Sequence, residues 1–390
     1  MHYNTIFNQL QNFFSRHEFE KAVKAENGDR YVKKFTCWQQ FTTLFYAQAT
    51  SKNSLRDIVT GLSLNSSKWY HIGINTVTRS NLSYANNNRS YKIYEKLFYN
   101  FLAKCRSVTP MHKFKFKNPL YSLDATIIDL CLSAFPWAKF RKAKGGIKLH
   151  SLLDHRGNIP SFLVITDAKQ HEVKIAREVP LTLISDSIIV FDKAYIDFKW
   201  LKNLDNSNVS WVSRSKTNMQ YSVIGQLKNN GKKGIMADEI IELTGNKSSK
   251  DYQMQFRKIT YYDKETDTHY EFITNNFKLS AYTICQIYKA RWQVELFFKW
   301  IKQNLKIKTF LGTSKNAVMT QIWIAMIYYL LLSYIKYQTK YKYSLLVLTR
   351  IIKEVLFFKT NLIDLLSLNE YNFQKLRGEP EESNMLPLLF

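Results

Sequence analysis

Four strand-length runs between residues 120 and 192 constrain this chain more than any other feature. "LYSLDATIIDLCL" (120–132) alternates around Asp124, and "GIKLHSLLD" (146–154) and "IPSFLVITD" (159–167) flank the turn "HRGN". Alternation at period two marks half-buried strands. "SIIVFD" (187–192) is instead a continuous apolar run, as expected of a strand covered on both faces. Together they predict a mixed sheet in an α/β domain. Apolar strands seldom run onto an acid without a reason, and here two do, at Asp124 and Asp192. If a crossover sets the last strand beside the first, both carboxylates reach one sheet edge, where α/β folds place their ligands.

A third carboxylate comes from "IYKARWQVELFFKWIKQNLK" (287–306). At about 100° per residue, Tyr288, Arg291, Glu295 and Lys302 share one helical stripe roughly 60° wide. Beside it lies an apolar face of Ile287, Ala290, Val294, Phe297, Phe298, Ile301 and Leu305. The stripe reads in two ways. Arg291 and Glu295 at i,i+4 can form a solvated pair worth a few tenths of a kcal/mol. Alternatively, Glu295 binds a metal or a proton, and the cations are aimed at an anion. Asp124, Asp192 and Glu295, with no histidine pair or paired thiols, form an oxygen set suited to Mg²⁺ or Mn²⁺ rather than zinc. Two such ions about 3.5 to 4 Å apart can activate the attacking oxygen and stabilise the leaving oxygen of an in-line phosphoryl transfer. Arg291 and Lys302 then have phosphates to hold.

The composition agrees with a polyanionic partner. The 390 residues carry a formal charge of +25, and 15% are aromatic, which supplies rings for stacking on bases. Cys37, Cys105, Cys131 and Cys285 are isolated, so they predict neither a zinc site nor a disulfide framework and read as reduced core thiols. The N-terminal "MHYNTIFNQLQNFF" lacks the charge-then-apolar pattern of a secretory signal. The run "IWIAMIYYLLLSYI" (322–335) spans 14 residues, short of the roughly 18 to 20 that cross a bilayer. A buried core helix, no membrane and a cytoplasmic location are expected.

The first 110 residues show helical periodicity, with "NSLRDIVTGL" (53–62) opening on residues suited to N-capping. The polar, basic stretch Thr76–Asn88, which includes Arg79, reads either as the groove-reading element of a helix-turn-helix or as a loop of a plain bundle. An amphipathic helix is expected at 195–204. "VSWVSRS" and the hairpin candidate "QFRKITYYDKETDTHYEFIT" make 207–275 β-rich, a long apolar helix follows over 316–338, and "LRGEPEESNMLPLLF" closes the chain as a loose tail.

The Tyr-x2-Arg-x3-Glu-x6-Lys spacing, together with "YSLDAT", "KLHSLLD", "IVFDKAY" and "FITNNF", resembles the DDE insertion-sequence transposases of the YREK-signature branch, the IS-four family. The resemblance covers about 115 to 340. It implies an α/β fold: an RNase H-like mixed-sheet catalytic core with a β-strand insertion domain and an α-helical N-terminal domain. The boundaries are then 1–112 for the helical DNA-binding domain, 113–206 and 276–345 for the two parts of the core, 207–275 for the insertion and 346–390 for a helical tail.

Carried over from the family, the catalytic and metal-binding triad is Asp124, Asp192 and Glu295, holding two Mg²⁺ or Mn²⁺ ions. The partners are double-stranded DNA, as transposon ends and target, and a second copy in a synaptic homodimer. The setting is the bacterial cytoplasm, at the nucleoid. The activity implied is cut-and-paste transposition through hairpin ends. The alternatives are an inactive DNA-binding regulator or an RNase H-like nuclease without strand transfer. DNA contacts are expected from Tyr288, Arg291, Lys302 and Lys193, from the basic run Lys139, Arg141, Lys142 and Lys144, and from Arg79. Trp211, Arg214 and Lys216 open the insertion, where the family grips a flipped base. One departure is "DKAY", where the family commonly has Arg-Gly-Tyr after the aspartate: Lys193 lacks the guanidinium fork and Ala194 the freedom of glycine. His150 and His171 read as structural hydrogen-bonders ahead of proton carriers, and Asp129 and Asp154 as surface acids ahead of groups that support the metal ligands.

Overall fold

In the computed structural model, which describes residues 4–141, 144–228, 232–307 and 309–375, helices come first. They are α1 (Ile6–Gln11), α2 (Arg16–Ala25), α3 (Cys37–Ala49), α4 (Leu55–Ser63), α5 (Trp69–Ile72), α6 (Arg79–Asn88) and α7 (Lys92–Arg106). Then follow β1 (Leu120–Leu130), β2 (Lys139–Arg141), β3 (Lys144–Asp154), β4 (Ile159–Asp167), α8 (Glu172–Ala176), α9 (Leu181–Ile184), β5 (Ile188–Phe191) and α10 (Phe198–Asn206). Next are β6 (Ser210–Arg214), β7 (Tyr221–Gln226), β8 (Ile235–Leu243), α11 (Ser248–Asp251), β9 (Phe256–Asp263) and β10 (Thr268–Thr274). After them come α12 (Ala281–Ala290), α13 (Trp292–Asn304), α14 (Lys315–Gln338), α15 (Leu345–Val355) and α16 (Leu362–Lys375). The expected loose tail after 375 lies outside the described residues.

These elements form two compact units, one of Met1–Pro110, Ile128–Gly146 and Trp300–Leu389, the other of Met111–Ile127 and Ile147–Lys299. The first unit is helical around α14. Side-chain caps start its helices: Ser15, Thr36, Ser54, Thr78, Ser314 and Ser344 each accept a backbone N–H of the first turn. By length and composition α14 is apolar enough to cross a membrane, but its most apolar stretch is wholly buried in the protein. α3, α6, α7 and α15 pack around it, with Tyr328 against Phe45 and Trp323 against Phe98 at ring distances of 5.5 and 5.2 Å. Cys37, Cys105 and Cys285 are buried as expected; Cys131 is exposed, because it follows β1 in a turn rather than lying in a core.

The second unit holds most of the sheet. β4 pairs antiparallel with β3, and β3 pairs with β1. The His155 N–H donates to Leu120 O at one end of that pair, and Gly145 lies against Leu130 O at the other, so β3 and β1 are antiparallel too. β5 is parallel to β1, and β6 parallel to β5. This order, β4-β3-β1-β5-β6, is the RNase H-like core. The β-rich stretch after α10 is hydrogen-bonded into the same sheet, which continues antiparallel as β6-β10-β9-β8-β7.

The apolar run of β5 has a direct cause. Ile189 and Phe191 enter a core with Trp200, Leu201 and Leu204 of α10, while Ile188 and Val190 enter the opposite core with Ile284, Cys285 and Ile287 of α12. Each face of the strand is covered by a helix, so neither set of positions tolerates a polar residue.

Candidate active site

β1 and β5 pair in register, Leu120 opposite Ile188 through to Leu123 opposite Phe191. The next residue on each chain segment is an aspartate, Asp124 and Asp192. Leu123 and Phe191 belong to the core under α10, so continued alternation turns both aspartates to the face that α12 covers. The end of α12 brings Tyr288 and Arg291 there, and the first turn of α13 brings Glu295. Arg291 Nη1 donates to Asp124 Oδ2 at 3.2 Å and Nη2 to Glu295 Oε1 at 2.7 Å. Asp124 Oδ1 also accepts the Ala125 N–H at 2.8 Å, and Asp192 Oδ1 accepts the Lys193 N–H at 2.6 Å.

Burial pushes the Asp124 carboxyl up to about 6; Arg291 and the Ala125 N–H oppose the shift, and the Glu295 and Asp192 charges add to it. For Arg291, burial acts to lower the pKa, but Tyr288, Asp124 and Glu295 raise it above its ordinary value, so the guanidinium is charged. Burial likewise raises the Tyr288 hydroxyl to about 12, with Arg291 and Arg214 opposing and Asp192 adding. The Tyr288 ring packs 4.9 Å from that of Phe272 and 5.6 Å from the Arg291 guanidinium carbon.

The helix expected to run unbroken over 287–306 is stepped at Arg291, where α12 ends and α13 begins. Arg291 N–H bonds Tyr288 O at 3.1 Å and Val294 N–H bonds Arg291 O at 3.0 Å, both i→i+3 contacts. No proline or glycine lies there. The residue at the step is the one whose side chain is drawn to Asp124. The apolar face is the predicted one, with Ile287, Val294, Phe297, Phe298, Ile301 and Leu305 buried.

The other predicted residues scatter. Arg214 lies 5.0 Å from the Tyr270 ring centroid and within the field of Tyr288, so it belongs near the aspartates. Lys193 is exposed at the start of the 3-10 turn Lys193–Tyr195. Lys216 Nζ donates to Ile196 O at 3.0 Å. Lys302 is half-buried on α13, in the first unit. Lys139, Arg141 and Lys144 lie in the β2–β3 hairpin, also in the first unit; Lys142 lies outside the described residues. Arg79 is exposed at the start of α6, beside a concavity of about 530 Å³ lined by Leu55, Ser80, Ser83, Tyr84, Asn87 and Asn88.

Two readings need correction. Trp211 is fully buried, its indole N–H donating to Asp205 at 2.9 Å and its ring against Phe256, so it is a core residue and not a base-gripping one. Its alternation on β6 points it into the core under α10. Asp154 is no surface acid: it is buried and paired with Arg156 at 2.7 Å. Asp129 is exposed as expected, and His171 is exposed just before α8. His150 is buried at hydrogen-bonding distance from Thr166 Oγ1, 2.9 Å, and burial lowers it to about 4, which fits a structural role.

Tyr195, which no spacing argument singles out, is buried in the core under α10, within reach of the charges of Asp124 and Asp192. Its hydroxyl is buried without a hydrogen-bond partner; burial raises its pKa, and the Asp124, Glu172 and Asp192 charges raise it further. The signals in the sequence are its place three residues after Asp192, one 3-10 turn on, and its match to the tyrosine of the family's Arg-Gly-Tyr.

Among the described residues, no three His, Cys, Asp or Glu side chains are gathered closely enough to hold a metal ion as they stand. The Arg291 guanidinium lies between Asp124 and Glu295. The chemistry of the set nevertheless fits a hard divalent ion: Arg291 pairs with Asp124 and Glu295, and the Asp192 charge, which also acts on Asp124, leaves an excess of negative charge on oxygen donors. Fit therefore depends on Arg291 giving way.

The Transposase DDE domain family matches residues 115–331, and a Domain of unknown function (DUF4372) matches residues 2–75. The chain is similar to the transposase y4zB of Sinorhizobium fredii, 35% identical over 200 residues that cover 50% of this chain and 55% of that one. It is also similar to a transposase for insertion sequence element IS5377 of Geobacillus stearothermophilus, 28% identical over 253 residues, 64% of this chain and 65% of the relative. A transposase for insertion sequence element IS4SA of Synechocystis is 25% identical over 217 residues, 55% and 59% of the two chains. Each match thus spans less than two thirds of the relative's own length. A piggyBac transposase synaptic complex with hairpin DNA aligns over 97% of this chain and 86% of its own, at a TM-score of 0.48 and 11% identity.

Proposed function

Because the chain belongs to the Transposase DDE domain family, we propose that it is the transposase of a bacterial insertion sequence. It binds the terminal inverted repeats of its own element as double-stranded DNA, cuts them and joins the freed 3′-hydroxyl to a target. The observation that carries this reading is the rung Leu123–Phe191, which leaves Asp124 beside Asp192, with Arg291 linking Asp124 to Glu295.

In the first step a water oxygen attacks the scissile phosphorus, the P–O3′ bond breaks and the 3′-oxygen leaves carrying a proton. That hydroxyl attacks the opposite strand to give a hairpin, a second hydrolysis opens it, and the same displacement on target DNA completes transfer. The family works with divalent metal ions; Asp124, Asp192 and Glu295 would hold two Mg²⁺ or Mn²⁺ ions, which when bound would supply positive charge to the attacking and leaving oxygens. The chain's own residues bind and orient. Tyr288 and Arg214 line the strand being cut, and Arg291 and Lys193 hold its phosphates; Lys302 is a further DNA contact of its own unit. Lys139, Arg141, Lys142 and Lys144 grip the flanking backbone. With a net charge of +25, association falls steeply with salt.

Recognition of the ends belongs to residues 1–112. There α6 exposes Arg79, Ser80, Asn81, Tyr84, Asn87 and Asn88, an acid-free face of the residue types that read base edges in a major groove. Residues 113–206 and 276–345 carry the chemistry together with β6, and the rest of 207–275 is the insertion. Two ends are held at once, so the working form is at least a homodimer, in the bacterial cytoplasm.

The test is incubation of the purified full-length chain with Mg²⁺ and duplexes carrying the DNA that flanks its gene, with products resolved on denaturing and native gels. Nicks, hairpins and joined products at the element ends are expected. Cleavage without joining would leave a nuclease, and end binding without cleavage a regulator. No preference for flanking ends over random duplex would overturn the reading.

A further inference from the structure

Arg291 is caught between two of the three carboxylates, and that position conflicts with both of its neighbours' duties. Its Nη1 and Nη2 are spent on Asp124 and Glu295, at 3.2 and 2.7 Å, while its buried Nε has no hydrogen-bond partner. A guanidinium is a rigid planar fork that grips a phosphate best through two parallel N–H donors. As it stands, Arg291 has no such pair to offer. A cation approaching Asp124 and Glu295 meets a resident positive charge, and the two carboxylates are held around the arginine instead of around an ion. An incoming phosphate meets the converse obstacle, three carboxylates of its own sign. Each obstacle vanishes if the partners are exchanged in one event: the guanidinium turns to the phosphate and frees the carboxylates for the cation.

We propose that Arg291 is an exchangeable counter-ion, bound to Asp124 and Glu295 without DNA and to a backbone phosphate when a DNA end enters, so that divalent-cation binding is coupled to DNA binding. The proposal rests on the transposase reading for the identity of the phosphate. Its location favours movement: Arg291 sits at the step between α12 and α13, where the helix is held by i→i+3 bonds, and the Tyr288 ring lies alongside. Coupling of this kind is reciprocal, so the cation must strengthen DNA binding by the factor by which DNA strengthens cation binding. It would keep the enzyme from assembling a hydrolytic centre away from DNA.

Mn²⁺ titration of the full-length protein, followed by loss of the free-ion electron paramagnetic resonance signal, tests this with no turnover required. It is run without DNA and with a duplex of the flanking end, with the DNA alone as a blank. The wild type is expected to bind Mn²⁺ about tenfold or more tightly with the end duplex than without it. Arg291→Gln should bind without DNA nearly as tightly as the wild type does with it, leaving a coupling below about twofold. Arg291→Lys, which keeps the charge on a smaller head, serves if the glutamine variant fails to fold, and it too should show weakened coupling. Equal wild-type affinity with and without DNA would overturn the proposal, as would undiminished coupling in a folded Arg291 variant. Wild-type Mn²⁺ affinity in Asp124→Asn and Asp192→Asn would instead remove the carboxylate metal site on which the transposase reading stands.

Discussion

Leu123 and Phe191 stand opposite each other as the last paired rung of β1 and β5, and the residues that follow them, Asp124 within β1 and Asp192 just past β5, come next in the same register. The candidate site is therefore a consequence of strand register. A slip of one residue in β5 would send Asp192 to the α10 face, and no repacking of side chains could restore the pair.

Asp192→Asn separates the chemical role of this residue from its structural one. The amide oxygen can still accept the Lys193 N–H, and a charge that raises the Asp124 pKa disappears. The melting temperature should stay level or rise. Single-turnover cleavage of an end duplex should fall by roughly 100-fold or more, since a ligand of the reacting centre is gone. A variant that melts early and still cleaves would show that Asp192 is a capping residue of the 3-10 turn and nothing more.

Acid should destabilise the protein through two buried histidines. Burial lowers His155, whose Nε2 lies 2.6 Å from Ser122 Oγ, from 6.5 to about 3, with His112 adding to the shift. Burial lowers His150 to about 4, with Lys148 adding. Below pH 6.5 the unfolded chain takes up protons that the folded chain refuses, so stability is full above 6.5 and is lost as pH falls, by up to about 1.4 kcal/mol per pH unit for each histidine. Asp124 works the other way: raised from 3.8 to about 6, it keeps its proton longer in the folded state and offsets one histidine across that interval. The net slope still favours neutral pH. Urea unfolding at pH 5 and pH 7 should show the lower stability at pH 5, and His155→Gln should flatten the difference; a flat wild-type profile would contradict the assignment.

Asp205, on α10, ties the helix to the sheet by accepting from Trp211 Nε1, Tyr252 Oη and Asn275 Nδ2. Asp205→Ala leaves Trp211 Nε1 and Tyr252 Oη without this acceptor, while Asn275 Nδ2 keeps its bond to Val209 O, and should cost roughly 3 to 5 kcal/mol. Trp211→Phe removes one of these bonds, should cost about 1 to 2 kcal/mol and should leave DNA affinity as in the wild type. Chemical denaturation and an end-binding titration of both variants check this. Loss of DNA affinity in a stable Trp211→Phe protein would return the indole to the DNA.

Local pattern by itself determined the elements and the order of the acids. The continuous apolar run 187–192 is a strand because helices cover both its faces, and the seven-residue gaps and alternations around Asp124, Glu295 and the α13 core face are set within a turn or a pleat of each residue. Such periods are written into neighbouring positions, so they survive without knowledge of what packs on them. Tertiary structure decided which of those side chains are free to act. Trp211 reads as a surface group because nothing in its own strand reveals Asp205 of α10 as the partner of its indole; Asp154 reads as one because its salt-bridge partner Arg156, though two residues away, does not reveal that the end of β3 is buried; and Cys131 reads as a core thiol because no local signal places it in an exposed turn. The grip of Arg291 on Asp124 joins residues 167 apart in the chain. It exists only because the sheet edge and the end of α12 are packed together, and burial then makes one guanidinium between two carboxylates the arrangement that leaves the least charge unpaired.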